Sequence, residues 1–448
     1  MNLMVVGGGG REHALISALK KNPAIQKIYA LPGNGGIAKE AECVPITATD
    51  IPALVDFALS HDVNFAVVAP DDPLVLGAVD ALEAAGVPAW GPNKAAAIIE
   101  GSKSFSKRLM AKYGIPTAAH ATFSDEAEAI SYLRRQSFPI VVKADGLALG
   151  KGVIIAEDFD AAALAVHEMM SEAKFGDSGK TVVIEEFLTG PEVSVLTFTD
   201  GKTLVPMVSS MDHKRALDDD KGLNTGGMGV IAPNPYYTDE MAERTRQEIL
   251  EPTIAAMSAE GRPFKGCLYF GLMLTEDGPK VIEYNCRFGD PEAQAVLPLL
   301  ESDLLEIMQA IREERLSEVS VQFSNDSSCC VVLASGGYPK EYEQGKKISI
   351  GDVGSADVFH AGTALIDGEL LTSGGRVISV TARGNDLSEA ITNAYQAADQ
   401  ISFEGLHKRS DIGALALKAK SQETESQKTR MPKPEIADNG KQKAENVK

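Results

Sequence analysis

Four consecutive glycines, Gly7–Gly10, follow the apolar run Leu3–Val6 and precede Ala14, Leu15, Ala18 and Leu19 at helical spacing. A strand that breaks at glycines and resumes as a helix opens a strand–helix–strand unit. The pattern recurs. The runs Ile28–Leu31 and Phe65–Ala69 end at Pro32-Gly33-Asn34-Gly35-Gly36 and Pro70-Asp71-Asp72-Pro73. Such alternation over the first hundred residues predicts a parallel, doubly wound sheet. Ligands of these sheets sit beyond the carboxyl ends of the strands, where the turns lie.

A new unit starts near Glu100-Gly101-Ser102-Lys103. Ser102 is placed to cap a helix running to about Tyr113, which Gly114 and Pro116 stop. The strand Pro139–Lys143 leads into a glycine-rich loop, 145–152. Val182–Leu188 and Val193–Thr199 read as strands, and Asp200-Gly201 as a two-residue hairpin turn. Leu268–Thr275, Glu276-Asp277-Gly278 and Lys280–Asn285 form another hairpin. A last mixed unit spans about Cys329 to Gly413, with strands at Cys330–Ala334 and Val377–Thr381 and a helix from about Leu387 to Ile401.

Charge narrows the function. The 448 residues carry 43 Lys plus Arg against 63 Asp plus Glu, a formal net charge of −20. Segment 419–448 has six Lys and one Arg against five acids, so the remainder stands at −22. This excess argues against polymeric nucleic acid and anionic membrane surfaces as partners. The tail is nearly devoid of apolar residues and reads as disordered. Five scattered cysteines without a C-x-x-C pair indicate neither a disulfide framework nor a zinc site, and a reducing, cytoplasmic setting is expected. The N-terminus has no basic region of a signal peptide, and no segment approaches the ~20 apolar residues of a membrane span.

Three segments carry chemistry. The Gly7–Gly10 turn offers backbone N–H groups to a phosphate. It lacks the third glycine of a dinucleotide fingerprint, since Glu12 or His13 stands there, so a phosphosugar site and a plain tight turn both remain open. The loop 145–152 holds three glycines and Lys151 after a strand ending in Lys143. It is not a P-loop, because Gly152 replaces the Ser or Thr, yet it suits closure over a triphosphate. Glu283 and Asn285 lie two apart on a strand and so share a face, giving two hard oxygen ligands suited to Mg²⁺. Arg287, Asp290 and Glu292 follow at the mouth of that strand. Asn224-Thr225-Gly226-Gly227-Met228-Gly229 points to close backbone approach to a ligand, whereas Asp218-Asp219-Asp220 reads as a solvated face. Cys286 reads as a small buried neighbour of the site, and the seven histidines show no metal-like pairing.

Together these segments resemble the phosphoribosylamine–glycine ligases of the ATP-grasp superfamily. The resemblance is carried by Gly-Gly-Arg-Glu-His-Ala (9–14), Pro-Gly-Asn-Gly-Gly (32–36), Glu-Gly-Ser-Lys (100–103), Lys-Ala-Asp-Gly-Leu-Ala-Leu-Gly-Lys-Gly-Val (143–153), Asp-His-Lys-Arg (212–215), Asn-Thr-Gly-Gly-Met-Gly (224–229), Asn-Cys-Arg-Phe-Gly-Asp-Pro-Glu (285–292) and Arg-Ser-Asp-Ile-Gly (409–413). It implies an α/β multidomain chain. Residues 1–101 would form a Rossmann-like substrate domain with a doubly wound parallel sheet. Residues 102–325 would form α+β ATP-grasp domains with a small mobile lid at about 117–190. Residues 326–418 would form a small mixed α/β domain, followed by the 419–448 tail.

The implied reaction joins glycine to 5-phosphoribosylamine through glycyl phosphate, with ATP as co-substrate and Mg²⁺ (or Mn²⁺) as cofactor, in a monomer. By the same resemblance Lys103, Lys143, Gly150 and Lys151 contact the triphosphate. Glu185, Glu186, Phe187 and Leu188 line adenine, and Glu192 reaches the ribose. Arg215 and Asn224 meet the phosphates or the metal region, and Glu283 and Asn285 hold the metal. Arg287 stabilises the acyl phosphate or anchors the glycine carboxylate, with Asp212, Lys214 and Asp290 beside the reacting groups. Gly8, Gly9, Gly10, Arg11, Gly33, Asn34 and Asp71 receive phosphoribosylamine. The cations collect into a basic cleft.

Two departures stand out. Asp71 occupies a position where the family usually has Glu, and Phe270-Gly271-Leu272-Met273 lacks the carboxylate many ATP-grasp enzymes place on that strand. A sister ATP-grasp enzyme for another carboxylate and a nucleotide sensor without catalysis are the competing readings. The intact Lys143, Lys151, Glu283, Asn285 and Arg287 weigh against the sensor, and the 212–215 and 287–292 motifs weigh against the sister enzyme.

Overall fold

The computed structural model describes residues 1–147, 152–172 and 176–418. Gly150, Lys151 and the 419–448 tail lie outside the described residues. The N-terminal sheet has five parallel strands in the order Glu42–Cys43, Lys27–Pro32, Asn2–Gly7, Phe65–Val68 and Ala89–Trp90. The order reverses beside Asn2–Gly7, so the crevice opens past Gly7 and Val68. Met4 and Val6 enter one core and Leu3 and Val5 another. Burial on both faces is why this strand reads as an unbroken apolar run. Gly7 has φ +120°, and a side chain there would meet Glu12 Cγ at 2.6 Å, so only glycine fits the turn.

An antiparallel sheet of Leu204–Pro206, Glu192–Thr199, Gly266–Thr275 and Gly278–Asn285 packs beside it. Val193 and Val195 join the first core, and Leu196 and Phe198 the second. These shared cores fix the crevice against the Glu283–Asn285 strand. The expected two-residue turn at Asp200-Gly201 is instead a four-residue connection, because Thr199 pairs with Leu204. The buried Asp200 carboxylate accepts the N–H groups of Lys202, Thr203 and the distant Leu316, and this network defines the loop.

The strands His120–Phe123, Val182–Glu186, Ile140–Ala144 and Val153–Ala156 form a separate sheet covered by the helices Glu126–Leu133 and Phe159–Met170. Its core includes Leu133, Val142, Val166 and Ile184. The strand expected to reach Leu188 ends at Glu186, the last residue paired with the neighbouring strand. Phe187 and Leu188 lie beyond it, ahead of the turn at Gly190, whose φ is +144°.

The last large sheet orders Met211–Asp212, Gly229–Ala232, Ser327–Ser335, Arg376–Gly384 and Asp357–His360, with the helix Leu387–Ala398 packed on it. Two of its strands precede residue 233 and carry Asp212 and Gly229, while the connection between them forms a separate two-stranded sheet of Arg215–Leu217 and Lys221–Asn224. The acidic run 218–220 is exposed but not merely solvated. Asp218 accepts the Ser410 N–H at 2.8 Å, Asp220 pairs with Arg409 at 2.8 Å, and Asp219 donates its N–H to Asp411. The 409–413 motif therefore clamps this hairpin. Among the described residues, no helix is long and apolar enough to cross a membrane, and the five cysteines are unpaired.

Candidate active site

Ser102 caps the helix Lys103–Tyr113 by accepting the Phe105 N–H at 3.1 Å. Asp145, at the start of the glycine-rich loop, accepts from Ser104 N–H at 3.0 Å and from the Ser104 hydroxyl at 2.7 Å. Lys103 Nζ donates to the Gly146 carbonyl at 2.8 Å. Gly146 has φ +105°, and a Cβ there would lie 2.7 Å from Ser178 Oγ. The start of the loop is thus tied directly to the Lys103 helix.

Lys143 Nζ reaches Glu185 and the Ile282 carbonyl, at 3.0 and 3.2 Å. Lys107, which no motif announced, pairs with the same carboxylate at 2.8 Å. Burial would raise the Glu185 carboxyl, but Lys143 and Lys107 outweigh it and hold it low. Glu186 accepts the Ala119 N–H at 3.0 Å.

On the strand Gly278–Asn285, Tyr284 is buried against Thr253, while Glu283 and Asn285 face the opposite way. Lys214 Nζ lies 3.0 Å from Glu192 and 3.9 Å from Glu283. Burial would raise the Glu283 carboxyl, yet Lys214, Lys143, Lys103 and Arg287 together pull it low. Cations from four segments therefore act together on this one carboxylate, with Lys214 the one within 4 Å of it. Glu192 and Glu283 in turn keep Lys214 charged against its burial. Gly271 stands opposite Glu283, so the neighbouring strand supplies no carboxylate there. Among the described residues, no three His, Cys, Asp or Glu side chains gather into a metal cage. Two oxygens on one face fit a hard divalent ion that takes its remaining ligands from phosphate and water.

Arg287 closes this strand onto the N-terminal sheet. Its guanidinium lies 3.0 Å from Glu100, 3.7 Å from Asp71 and 3.1 Å from Asn285 Oδ1. Burial opposes its charge, and Glu100 and Asp71 more than restore it. Cys286 is fully buried beside Glu100, and burial pushes its thiol up, which leaves it a poor nucleophile.

At the crevice, Glu12 accepts the Gly9 N–H at 2.6 Å and pairs with Arg11 Nε at 2.6 Å. Arg11 also donates to the Phe288 carbonyl, and its N–H meets Asp290 at 3.3 Å. A Cβ on Gly8 would lie 2.4 Å from the Gly33 carbonyl oxygen, and one on Gly10 would lie 2.4 Å from Gln294 Nε2. Asn34 donates to the Gly8 and His360 carbonyls and accepts from the Gly36 and Ile37 N–H groups. Its amide is a strut joining both glycine turns to the C-terminal sheet.

Asp290 pairs with Arg376 at 3.3 Å and accepts from Gln294 at 2.8 Å. Arg376 also donates to the Gly226 and Asp290 carbonyls, both at 2.6 Å. Asp212 is pushed well up by its burial and by Glu292, and its Oδ1 is buried without a partner. His213 donates from Nδ1 to the Gly229 carbonyl and accepts the Gly413 N–H on Nε2, so it is held neutral and structural. Arg215 and Asn224 are paired residues of one exposed hairpin, where Arg215 donates to the Gly222 carbonyl at 2.9 Å.

The structure brings Lys103, Lys143, Lys214, Arg287, Glu192, Glu283, Asn285 and Asp71 together. In the expected basic cleft Lys143, Lys214 and Arg287 each face a carboxylate, because burial of an unpaired charge is costly, whereas Lys103 and Arg215 donate to backbone carbonyls. Sequence reasoning missed Glu12, Lys107, Arg376 and the side-chain role of Glu100. Glu12 and Glu100 stand inside quoted motifs, whereas Lys107 and Arg376 carry no local signal.

Comparison with known proteins identifies the family. Sequence models of the phosphoribosylglycinamide synthetase N domain, ATP-grasp (A) domain and C domain match residues 1–100, 101–293 and 328–415. A phosphoribosylamine–glycine ligase of Vibrio vulnificus is 48% identical over 428 residues, covering 94% of this chain and 100% of the relative. One from Caldanaerobacter subterraneus subsp. tengcongensis is 46% identical over 415 residues, covering 92% and 100%. The crystal structure of the Thermotoga maritima phosphoribosylamine–glycine ligase aligns with TM-score 0.80 and 32% identity over 92% of this chain and 100% of that one. The biotin carboxylase domain of Hydrogenobacter thermophilus 2-oxoglutarate carboxylase shares the fold, with TM-score 0.71 at 16% identity over 91% of each chain. The chain belongs to the phosphoribosylamine–glycine ligase family, built on the ATP-grasp fold.

Proposed function

We propose that this protein joins glycine to 5-phosphoribosylamine at the expense of ATP, the glycine-ligation step of purine biosynthesis. The observation that carries the reading is the set of cations along the Glu283–Asn285 strand, with Lys214 3.9 Å from Glu283, Arg287 3.1 Å from Asn285 Oδ1 and Lys143 3.2 Å from the Ile282 carbonyl. Phosphoryl transfer demands positioning and charge stabilisation more than covalent help, and this constellation supplies both. The glycine carboxylate attacks the γ-phosphate, and glycyl phosphate and ADP form. The amine of phosphoribosylamine then attacks the acyl carbon, and phosphate leaves.

In this reading Lys103 and Lys143 hold the triphosphate, and the 145–152 loop, with Gly150 and Lys151, covers it and excludes water from the acyl phosphate. Residues 185–188 take adenine, Glu192 the ribose, and Arg215 and Asn224 the phosphate side. Glu283 and Asn285 would hold Mg²⁺, or Mn²⁺ in its place, which would supply positive charge beside the transferred phosphoryl group. Arg287 orients the glycine carboxylate. Asp212 and Asp290 receive the amines, with Lys214 between Glu192 and Glu283. Phosphoribosylamine lies in the crevice at Gly8–Arg11, Gly33, Asn34 and Asp71. We further propose the division 1–101, 102–325 with the lid at about 117–190, 326–418 and tail 419–448, in a cytoplasmic monomer.

A substrate-omission assay tests the function. ADP is expected only when ATP, Mg²⁺, glycine and phosphoribosylamine are all present. Equal ADP release with another carboxylate in place of glycine would overturn the assignment and favour a sister ATP-grasp enzyme.

A further inference from the structure

Lys107, Lys143 and Glu185 form a buried triad with two ammonium groups and one carboxylate. Their side chains are 3%, 5% and 3% exposed. Lys107 Nζ lies 2.8 Å from Glu185 and donates to Thr117 Oγ1 at 2.8 Å. Thr117 donates in turn to the Val281 carbonyl at 2.6 Å, and Lys143 donates to the neighbouring Ile282 carbonyl. The triad thus joins the Lys103 helix, the lid sheet and the strand that carries Glu283. One carboxylate cannot neutralise two lysines, so the triad holds a surplus positive charge out of water. Such a charge is costly unless an anion completes it.

From this stoichiometry we infer that Lys107 is a positioning residue, the resident counter-ion that frees Lys143 from Glu185 when a triphosphate binds. If Lys143 were the sole partner of Glu185, its transfer to phosphate would strand a buried carboxylate, and that cost would be deducted from nucleotide affinity. With Lys107 in place Glu185 stays paired throughout. Thr117 and Glu185 hold Lys107 in place, and its Nζ meets the same Glu185 Oε2 that Lys143 meets at 3.0 Å.

The inference rests on the reading of Lys143 as a triphosphate contact, and the test separates the two. ATP affinity is measured by calorimetric titration of the full chain with Mg²⁺. Lys143→Met should lose most ATP binding, and unchanged binding would overturn the reading of Lys143 and, with it, the inference. Lys107→Met should weaken ATP binding about tenfold or more, with kcat at saturating ATP changed less than about threefold, because the lost partner acts on affinity rather than on the reacting groups. Lys107→Gln keeps a polar partner for Thr117 and Glu185 but removes the charge, so it should also weaken ATP binding about tenfold, whereas Lys107→Arg keeps the charge and should retain affinity to within about threefold of the parent. Lys107→Gln keeps the idea testable even if Lys107→Met fails to fold. Normal affinity in Lys107→Met or Lys107→Gln, or an equal loss in Lys107→Arg, would overturn the role of Lys107 while leaving Lys143 in place.

Discussion

Arg287 and Glu100 form a buried ion pair at 3.0 Å, and the other Glu100 oxygen accepts the Cys286 backbone N–H at 2.7 Å. One carboxylate from the helix Lys94–Gly101 thereby fixes both the backbone and the guanidinium at the end of the Glu283–Asn285 strand. Glu100→Gln keeps an acceptor for Cys286 but no longer holds Arg287 by charge. A displacement of about 1 Å at a reacting group costs on the order of 10²-fold, so kcat should fall by that order while circular dichroism stays unchanged. Unaltered kcat would show that Asp71 and Asn285 suffice to place Arg287.

Glu283→Ala removes one of two adjacent oxygen ligands and the carboxylate on which cations from four segments act. Turnover should drop to less than about 1% of the parent, as removal of a main electrostatic contact at a transferring group does. Retention of turnover at millimolar Mg²⁺ would remove Glu283 from the metal site.

Acid should destabilise the fold through two buried histidines. Burial, with Arg409 adding to it, lowers His213 to about 4, and burial with His13 adding to it lowers His360 to about 3. Both folded-state values lie below the unfolded value of about 6.5. The unfolded chain therefore binds more protons as pH falls below that value, and stability present above it is lost on the way down to pH 4 and 3. Between pH 6.5 and 5 the loss is about 2 kcal/mol per histidine. Urea midpoints at pH 7 and 5 measure it. The shift should shrink in His360→Asn, and an identical shift there would assign the acid sensitivity to other groups.

Deletion of residues 419–448 should leave kcat and thermal midpoint unchanged, because the family's C-domain match ends at 415 and the 409–413 clamp is retained. Steady-state assays of the truncated chain check this. A severalfold loss would give the tail a part in catalysis.

Much of the fold was legible because its signals are local. Apolar runs broken by glycine mark the parallel strands, Ser102 and Gly114 bracket their helix, and the alternation at 283–285 sorts one face from the other. The pairing of Gly229–Ala232 with Ser327–Ser335 was not legible, because strands about a hundred residues apart meet through backbone hydrogen bonds that impose little on side-chain pattern. The same limit hid the strut of Asn34, whose local turn signal gave no hint of His360.

Sequence alone determined the order of elements, the motif residues and, through their resemblance, the chemistry to expect. Tertiary structure decided how that chemistry is held. Lys107 and Arg376 are ordinary basic residues in the sequence, and only packing places one on Glu185 and the other on Asp290. Buried charges need partners, and those partners come from whichever segment the fold brings near. The pairing of Lys143, Lys214 and Arg287 with carboxylates is therefore a property of the folded chain that no single stretch of it encodes.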